Sequence, residues 1–259
     1  MIIFFSKPGN KDTIEKVTDE ISQETHFCTS RKQIRELTES ENADGVMLVR
    51  WGTTKPSGIY PSLTINHKSA ISFASNKAKC RKYFDEKGLP VPRVFDNVYG
   101  SMGITYPCVG RIARHSCGRG FWYCENRGDY LRAIDEGAQY FSPFYDKTEE
   151  YRIHIAGGKV LFVQKKVGGD TSQPIWNHEN GFEFEVQRRR NWNEDMNLEA
   201  LRAMSLIDLD FGAVDVMASP DEEKPFVICE INTAPACYAY GAVKYAQYFA
   251  EEAQENGIE

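Results

Sequence analysis

Two apolar segments near the C-terminal end of the chain constrain its fold more than any other feature. Residues 211–217 and 225–232 are short and rich in Phe, Val and Ile, which is typical of buried strands. The segment 218–224 between them is rich in turn-forming residues. An antiparallel hairpin is the simplest connection between two such strands. The sequence therefore predicts a two-stranded antiparallel unit in this region.

The predicted hairpin brings oxygen-bearing side chains together. If its turn is centred between Glu222 and Glu223, Asp215 lies opposite Glu230, with Cβ atoms about 5 Å apart. Strand alternation then puts Asn232 on the same face as Glu230. Two carboxylates and an amide oxygen form a hard, all-oxygen set that suits Mg²⁺ completed by phosphate and water oxygens. A solvated hairpin face fits the same geometry, so the pattern alone leaves both interpretations open.

The rest of the chain alternates between strand and helix patterns. An apolar strand at the N-terminus, an amphipathic stretch and a second apolar run at 45–49 predict a small α/β unit that ends near residue 66. A helix should follow, begun by Asn76 and ended by Gly88. The pair Gly157-Gly158 between two alternating runs predicts a hairpin.

Composition and charge exclude several classes of protein. A chain of 259 residues, 41% hydrophobic and 26% charged, can bury a substantial core. The net charge of −6 argues against general nucleic-acid binding. No run of about 18 apolar residues occurs, and residues 1–5 are too short for a signal peptide. We therefore expect a cytoplasmic protein with reduced cysteines and no membrane partner.

The residues around the predicted hairpin resemble a known superfamily. The segments Asp210–Met217 and Cys229–Pro235 are similar to the metal-binding end of the ATP-grasp carboxylate-amine ligases. This superfamily includes D-alanine ligases, glutathione synthetases and the glutamate-adding ligases that modify ribosomal proteins. The resemblance spans roughly residues 67 to 240, and the compact size resembles small bacteriophage-type members.

The resemblance implies a fold and a division of the chain. The fold class is α+β, with two α/β subdomains that clasp ATP behind a small N-terminal α/β domain. Residues 1–66 would form that domain, residues 67–138 a central lid subdomain with a Gly-rich loop, and residues 139–259 the C-terminal subdomain with the metal site. The loop His115–Gly120 is similar to the mobile loop that closes over the phosphates.

The resemblance also implies roles for individual residues. Three would hold Mg²⁺: Asp215, Glu230 and Asn232. Three would be catalytic cations: Arg111, Arg152 and Lys165. Nine would contact ATP: Lys77, Arg111, Gln139, Tyr140, Phe141, Ser142, Glu150, Lys165 and Asn177. Lys166, on the adjacent pleat of the same strand, should point away from the reaction centre. Three would contact the acceptor substrate: Arg50, Trp51 and Arg114.

The implied activity is ATP-dependent formation of an amide or peptide bond through an acylphosphate, with release of ADP and phosphate. The partners would be small-molecule or peptide carboxylates and amines, and assembly as a homo-oligomer stays open. This chain departs from the family pattern at Arg111, where a lysine is usual, and at Ala236, where a glycine is frequent. Two alternatives to a ligase stay open: a phosphotransferase and a nucleotide-binding module without turnover.

Overall fold

The computed structural model describes residues 1–38, 40–96, 103–114 and 120–258. The N-terminal domain is a four-stranded parallel sheet with strand order β2-β1-β3-β4. Its strands are β1 (Ile2–Ser6), β2 (Thr25–Cys28), β3 (Asn42–Trp51) and β4 (Tyr60–Ile65), and its helices are α1 (Lys11–Thr18) and α2 (Arg31–Thr38). The residues of β1 are buried on both faces, as parallel strands covered by helices require.

Two helices lead out of this domain. Helix α3 spans Lys68–Ser75, and α4 spans Lys77–Glu86. The side chain of Asn76 accepts a hydrogen bond from the backbone N–H of Lys79, as predicted for the residue that begins α4. Gly88 has a φ of +71° just beyond the helix, a conformation that glycine adopts without strain.

The lid is a smaller antiparallel sheet with strand order β5-β8-β6-β7. Its strands are β5 (Phe95–Asp96), β6 (Cys108–Arg111), β7 (Phe121–Cys124) and β8 (Tyr140–Pro143), and helix α5 (Arg127–Asp135) covers one face. Strand β8 pairs with β6, so the lid sheet extends to Pro143, beyond the expected boundary at residue 138. Helices α3 and α4, expected in the lid, pack instead on the central sheet through an apolar face.

The central sheet is antiparallel, with strand order β11-β10-β9-β12-β13. Its strands are β9 (Glu149–Ala156), β10 (Lys159–Gly168), β11 (Phe182–Val186), β12 (Phe211–Ala218) and β13 (Phe226–Asn232), and the two remaining helices are α6 (Glu194–Ser205) and α7 (Ala239–Glu255). The glycine pair Gly157-Gly158 joins β9 to β10, which confirms the predicted hairpin.

The two faces of the central sheet have different partners. One face, which includes Ile153 and Val214, packs against α3, α4 and α6 in an apolar core. At one end of the opposite face, Phe162 and Phe211 pack against α7 and the N-terminal domain. The other end of that face carries charged side chains and is the region in which a site can form.

Besides this apolar packing, two contacts at the carboxyl edge of the parallel sheet join the N-terminal domain to the central sheet. Asn66, with a φ of +62°, is fully buried and accepts hydrogen bonds from the backbone N–H groups of Asp210 (2.9 Å) and Phe211 (3.1 Å). A Cβ atom at Gly52 would lie 2.5 Å from the Cβ of Ala234, so only glycine permits this approach. The carboxyl edge of the parallel sheet therefore lies against the segment that follows β13.

The predicted α+β class with a small N-terminal α/β domain is confirmed. Within the part of the chain that the structure describes, no helix combines the length and the apolar composition needed to cross a membrane.

Candidate active site

The β12–β13 hairpin forms with the predicted register. Asp215 pairs with Glu230, and Ala213 pairs with Asn232. The pairing then shifts, so that Val216 opposes Ile228 and Cys229 forms a bulge. The Nδ2 atom of Asn232 donates a hydrogen bond of 2.9 Å to Oδ2 of Asp215. The three expected magnesium ligands therefore lie together at one end of the charged face.

Asp215 is held by an arginine from the neighbouring strand. Arg152, opposite Asp215 on β9, donates from Nε to Oδ1 at 2.7 Å and from Nη2 to Oδ2 at 2.9 Å. Burial alone would raise the pKa of Asp215, but the charge and hydrogen bonds of Arg152 outweigh it and lower that pKa. This carboxylate therefore stays ionised at neutral pH and can serve as an oxygen ligand.

Glu230 is held by the first turn of α4. Lys77 forms an ion pair with it, in which both side chains are largely buried. One helical turn later, Arg81 donates from Nε to the carbonyl oxygen of Cys229 at 2.9 Å. Helix α4 thus places two cations beside the edge strand β13, of which the sequence analysis identified only Lys77.

The strand register corrects the expectation for Lys165. Gln164 on β10 pairs with Arg152, so Lys166, two residues further along, shares the charged face, whereas Lys165 pairs with Tyr151 on the opposite face. Lys165 forms an ion pair with Glu149 there. The expectations that Lys165 faces the reaction centre and that Lys166 points away are therefore wrong. The charge of Lys166 reaches Asp215 and contributes to the low pKa of that group.

Glu150 lies between two lysines on the charged face. Lys166 forms an ion pair with it, and Lys147 Nζ lies 2.8 Å from its Oε2. Lys166 also donates to the carbonyl oxygen of Trp176. Asn177, the next residue, accepts a hydrogen bond from the backbone of Asn180 and caps a short turn. Glu150 thus shares the charged face with Lys166, and Lys147 is an additional cation there; contact of Glu150 with ATP stays a prediction.

The lid presents two of the expected residues towards these groups. Arg111 on β6 pairs with Tyr140 on β8, so their side chains share one face of the lid. The Arg81 guanidinium lies 5.9 Å from the Tyr140 ring. The buried hydroxyl of Tyr140 has no hydrogen-bond partner among the described residues. A buried hydroxyl without a partner costs free energy unless a ligand supplies one.

The other expected ATP contacts next to Tyr140 have different surroundings. Phe141 faces away from Tyr140 and packs against Tyr130 in the apolar core of the lid, with ring centroids 4.3 Å apart. Its side chain therefore cannot sandwich a nucleotide, because neighbouring strand residues point to opposite faces. Ser142 is buried on the face of Tyr140. The exposed Gln139 accepts a hydrogen bond of 2.8 Å from the backbone N–H of Ala113.

The expected acceptor contacts are only partly accessible. Trp51 is fully buried and packs against Phe211 and Tyr245, so the expectation that it touches the acceptor is wrong. Arg50 is also buried, and its Nη1 donates 2.8 Å to the carbonyl oxygen of Lys55. Arg114 is exposed. Residues 115–119 of the expected phosphate loop lie outside the part of the chain that the structure describes.

Positive charges outnumber negative ones among the described residues on the charged face of the central sheet and on the lid face that carries Arg111 and Tyr140. We refer to these residues as the charged cluster, in which the described residues include six cations and three carboxylates: Lys77, Arg81, Arg111, Lys147, Arg152, Lys166, Glu150, Asp215 and Glu230. Buried charges in proteins are normally compensated. A polyphosphate would bring negative charge to these cations and an acceptor for the Tyr140 hydroxyl.

The donor set also fits magnesium. Two carboxylates and an amide meet at the end of the β12–β13 hairpin, and all are oxygen donors of the kind that Mg²⁺ prefers. Among the described residues, no cluster of three or more His, Cys, Asp or Glu side chains is arranged to hold a metal. The candidate set is therefore these three oxygen donors, completed by phosphate and water oxygens.

One signal in the sequence could have identified a residue that was missed. Arg81 follows Lys77 by four residues, so both must lie on one face of a helix. Lys166 has no such signal, because counting pairs from the Gly157-Gly158 turn puts Lys165 on the face of Arg152, and the bulge between Val160 and Phe162 reverses this. Lys147 lies in a segment without regular structure, where no periodicity predicts the direction of a side chain.

Comparisons with known proteins identify the fold. No protein-family model matches the sequence, and a search of the curated proteins finds no match. Among solved structures, the ATP-grasp ligase PsnB, complexed with a minimal precursor, superimposes with a TM-score of 0.68 at 12% identity, covering 99% of this chain and 98% of that one.

Two further structures are similar over their whole length. The D-alanine–D-alanine ligase of Bacillus anthracis, complexed with ATP, has a TM-score of 0.66 at 12% identity, with 99% of this chain and 95% of that chain covered. The macrocyclase MdnC of Microcystis aeruginosa, bound to the precursor peptide MdnA, has a TM-score of 0.67 at 12% identity, with coverages of 98% and 100%. The chain therefore has the ATP-grasp fold.

Proposed function

We propose that this protein is an ATP-dependent carboxylate-amine ligase that forms an amide or peptide bond and releases ADP and phosphate. The observation that carries the proposal is the charged cluster, in which six cations face three carboxylates beside an unpartnered buried hydroxyl. Such a surplus suits a triphosphate. The fold, which it shares with an ATP-complexed D-alanine–D-alanine ligase, supports the same reading.

In this proposal the phosphates of ATP lie between the lid and the central sheet. Lys77, Arg111 and Lys166 donate to phosphate oxygens, and the Tyr140 hydroxyl finds its acceptor in the nucleotide. Asp215, Glu230 and Asn232 would hold Mg²⁺, which would neutralise charge on the transferred phosphoryl group. Arg152, which donates two hydrogen bonds to Asp215, would stabilise negative charge as it develops on the reacting groups.

The chemistry proceeds in two steps. An oxygen of the substrate carboxylate attacks the γ-phosphorus, and the bond to the β-phosphate oxygen breaks, so that ADP leaves and an acylphosphate forms. The amine then attacks the acyl carbon, its C–N bond forms, the acyl C–O bond breaks, and inorganic phosphate leaves as the amine loses a proton. The protein contributes positioning and electrostatic stabilisation and needs no covalent nucleophile.

The acceptors are proposed to be small-molecule or peptide carboxylates and amines, handled in the cytoplasm. The similar structures include a D-alanine–D-alanine ligase complexed with ATP and a macrocyclase bound to its precursor peptide, which supports both kinds of substrate. The carboxyl edge of the parallel N-terminal sheet lies against the segment after β13, near Ala234, and in α/β folds ligands bind at the carboxyl ends of the strands. The exposed Arg114 stays a candidate contact there.

A screen of acids and amines for ADP release tests the proposal. We expect ADP and phosphate only when a suitable acid is present, and hydroxylamine should trap an acyl hydroxamate. AMP and pyrophosphate as products would refute the proposed mechanism. A stable phosphorylated acid that is insensitive to amines would instead identify a phosphotransferase. ATP binding without turnover across the whole library would identify a nucleotide-binding module.

A further inference from the structure

A bulge interrupts β13 next to the proposed metal ligands. Glu230 still pairs with Asp215, but Ile228 pairs with Val216, so Cys229 has no residue opposite it. A bulge bends a strand and changes the direction of the neighbouring side chains, and bulges are frequent beside active sites. The orientation of Glu230 towards Asp215 therefore depends on how Cys229 is held.

Arg81 holds this bulge from outside the sheet. Its Nε donates 2.9 Å to the carbonyl oxygen of Cys229, and its Nη2 lies 3.5 Å from the thiol sulfur of the same residue. Strand β13 is an edge strand, so its outer carbonyl groups need donors from elsewhere in the chain. Arg81 supplies one where the strand departs from regular pairing.

The surroundings of Arg81 are unusual for an arginine with a purely structural role. The residue is only 7% exposed, yet no carboxylate oxygen among the described residues lies within ion-pair distance of it. Glu230 is close enough to influence it electrostatically, and the Tyr140 ring of the lid lies 5.9 Å from its guanidinium. Arg81 therefore links α4, the β13 bulge and the lid.

We infer that Arg81 is a positioning residue for Glu230, which it orients through the bulge at Cys229 for magnesium binding. The inference rests on the proposed function, because it assigns to Arg81 the geometry of the metal site rather than direct contact with ATP. Residues that orient metal ligands typically contribute about 10- to 100-fold to metal affinity. Loss of Arg81 should therefore weaken the part of ATP binding that depends on magnesium.

The test compares the ATP affinity of the protein with Mg²⁺ and with EDTA, measured by titration calorimetry. For Arg81→Met we expect the gain in affinity that Mg²⁺ provides, measured relative to the metal-free affinity of the same variant, to fall about 10-fold or more. Lys79→Met, an exposed residue on the same helix, is the matched control and should change neither value. Cys229→Ala should retain most of the gain, since the carbonyl contact persists.

Three results would overturn the inference. A weaker metal-free affinity with an unchanged magnesium gain would show that Arg81 contacts phosphate directly. An unchanged gain and unchanged affinity would show that the bulge does not need Arg81. In the Glu230→Gln background, a further loss of the magnesium gain on Arg81→Met would show that Arg81 acts independently of Glu230. If Arg81→Met does not fold, Arg81→Lys and Arg81→Gln are measured in the same way.

The same titration separates this inference from the proposed function. If the unchanged protein binds no ATP under either condition, the proposed function fails. If it binds ATP with a magnesium gain that Arg81→Met retains, only the role of Arg81 is wrong.

Discussion

The opposite orientations of two adjacent lysines lead to a sharp test of the site. Lys166 lies on the charged face, 12% exposed, and contacts Glu150 and the carbonyl oxygen of Trp176. Lys165 lies on the other face, 31% exposed, beside a partly exposed Glu149. The substitutions Lys166→Met and Lys165→Met remove the same charge and retain a similar aliphatic stem, so each is the control for the other.

The expected magnitudes follow from these environments. A hydrogen bond to a charged group contributes about 1.5–3 kcal/mol, so loss of the Lys166 contact to phosphate should weaken ATP binding roughly 10- to 150-fold. The protein should still fold, because Glu150 keeps its ion pair with Lys147. A partly exposed ion pair such as that of Lys165 contributes about 1 kcal/mol or less, so Lys165→Met should change ATP affinity less than about twofold.

Equilibrium binding of ATP in the presence of Mg²⁺ is the assay, with thermal unfolding as the check on folding. Equal losses for the two variants, or a larger loss for Lys165→Met, would refute the assignment of Lys166 to the nucleotide. Unchanged affinity in a folded Lys166→Met variant would have the same consequence.

Three further predictions concern the metal site, the domain contact and a buried histidine. Glu230→Gln should abolish ADP release while thermal unfolding stays within a few degrees; normal turnover would remove Glu230 from its role. Asn66→Ala should lower the free energy of unfolding by about 2–5 kcal/mol, measured with urea, because buried backbone groups of residues 210 and 211 lose their partners; a loss below about 1 kcal/mol would contradict this. Burial, and then the charge of Arg152, lower the pKa of His154 to about 3, so its contribution to stability is complete above about pH 6.5 and is lost as the pH falls towards 3, by up to about 1.4 kcal/mol per pH unit. His154→Gln should have a correspondingly weaker pH dependence of urea unfolding, and equal dependence in both proteins would exclude this role.

The elements near the site could be predicted from local patterns. The β12–β13 register followed from the position of the turn, and Asp215 does face Glu230. The Gly157-Gly158 hairpin and the start of α4 at Asn76 followed from turn and capping preferences. These features depend on residues that are close in sequence, which is why periodicity and turn chemistry were sufficient.

The features that were missed depend on an irregularity in strand pairing or on contacts between distant segments. The face that Lys166 occupies is set by pairing of β10 with β9, which shifts at a bulge between Val160 and Phe162. Trp51 is an aromatic residue of the kind that often binds ligands, but it is buried because α7 covers it. Strand β8 belongs to the lid sheet because it pairs with β6. The sequence pattern near residue 138, where the lid was expected to end, does not reveal this pairing.

The fate of the carboxylate oxygens tests the central claim most directly. An acid that supports ADP release is labelled with ¹⁸O in its carboxylate, and the inorganic phosphate produced with the amine is examined by mass spectrometry. Because the carboxylate oxygen attacks the γ-phosphorus and then leaves with it, we predict one ¹⁸O atom in the phosphate released in each turnover. Unlabelled phosphate would mean that no acylphosphate forms and would contradict the proposed ligase mechanism.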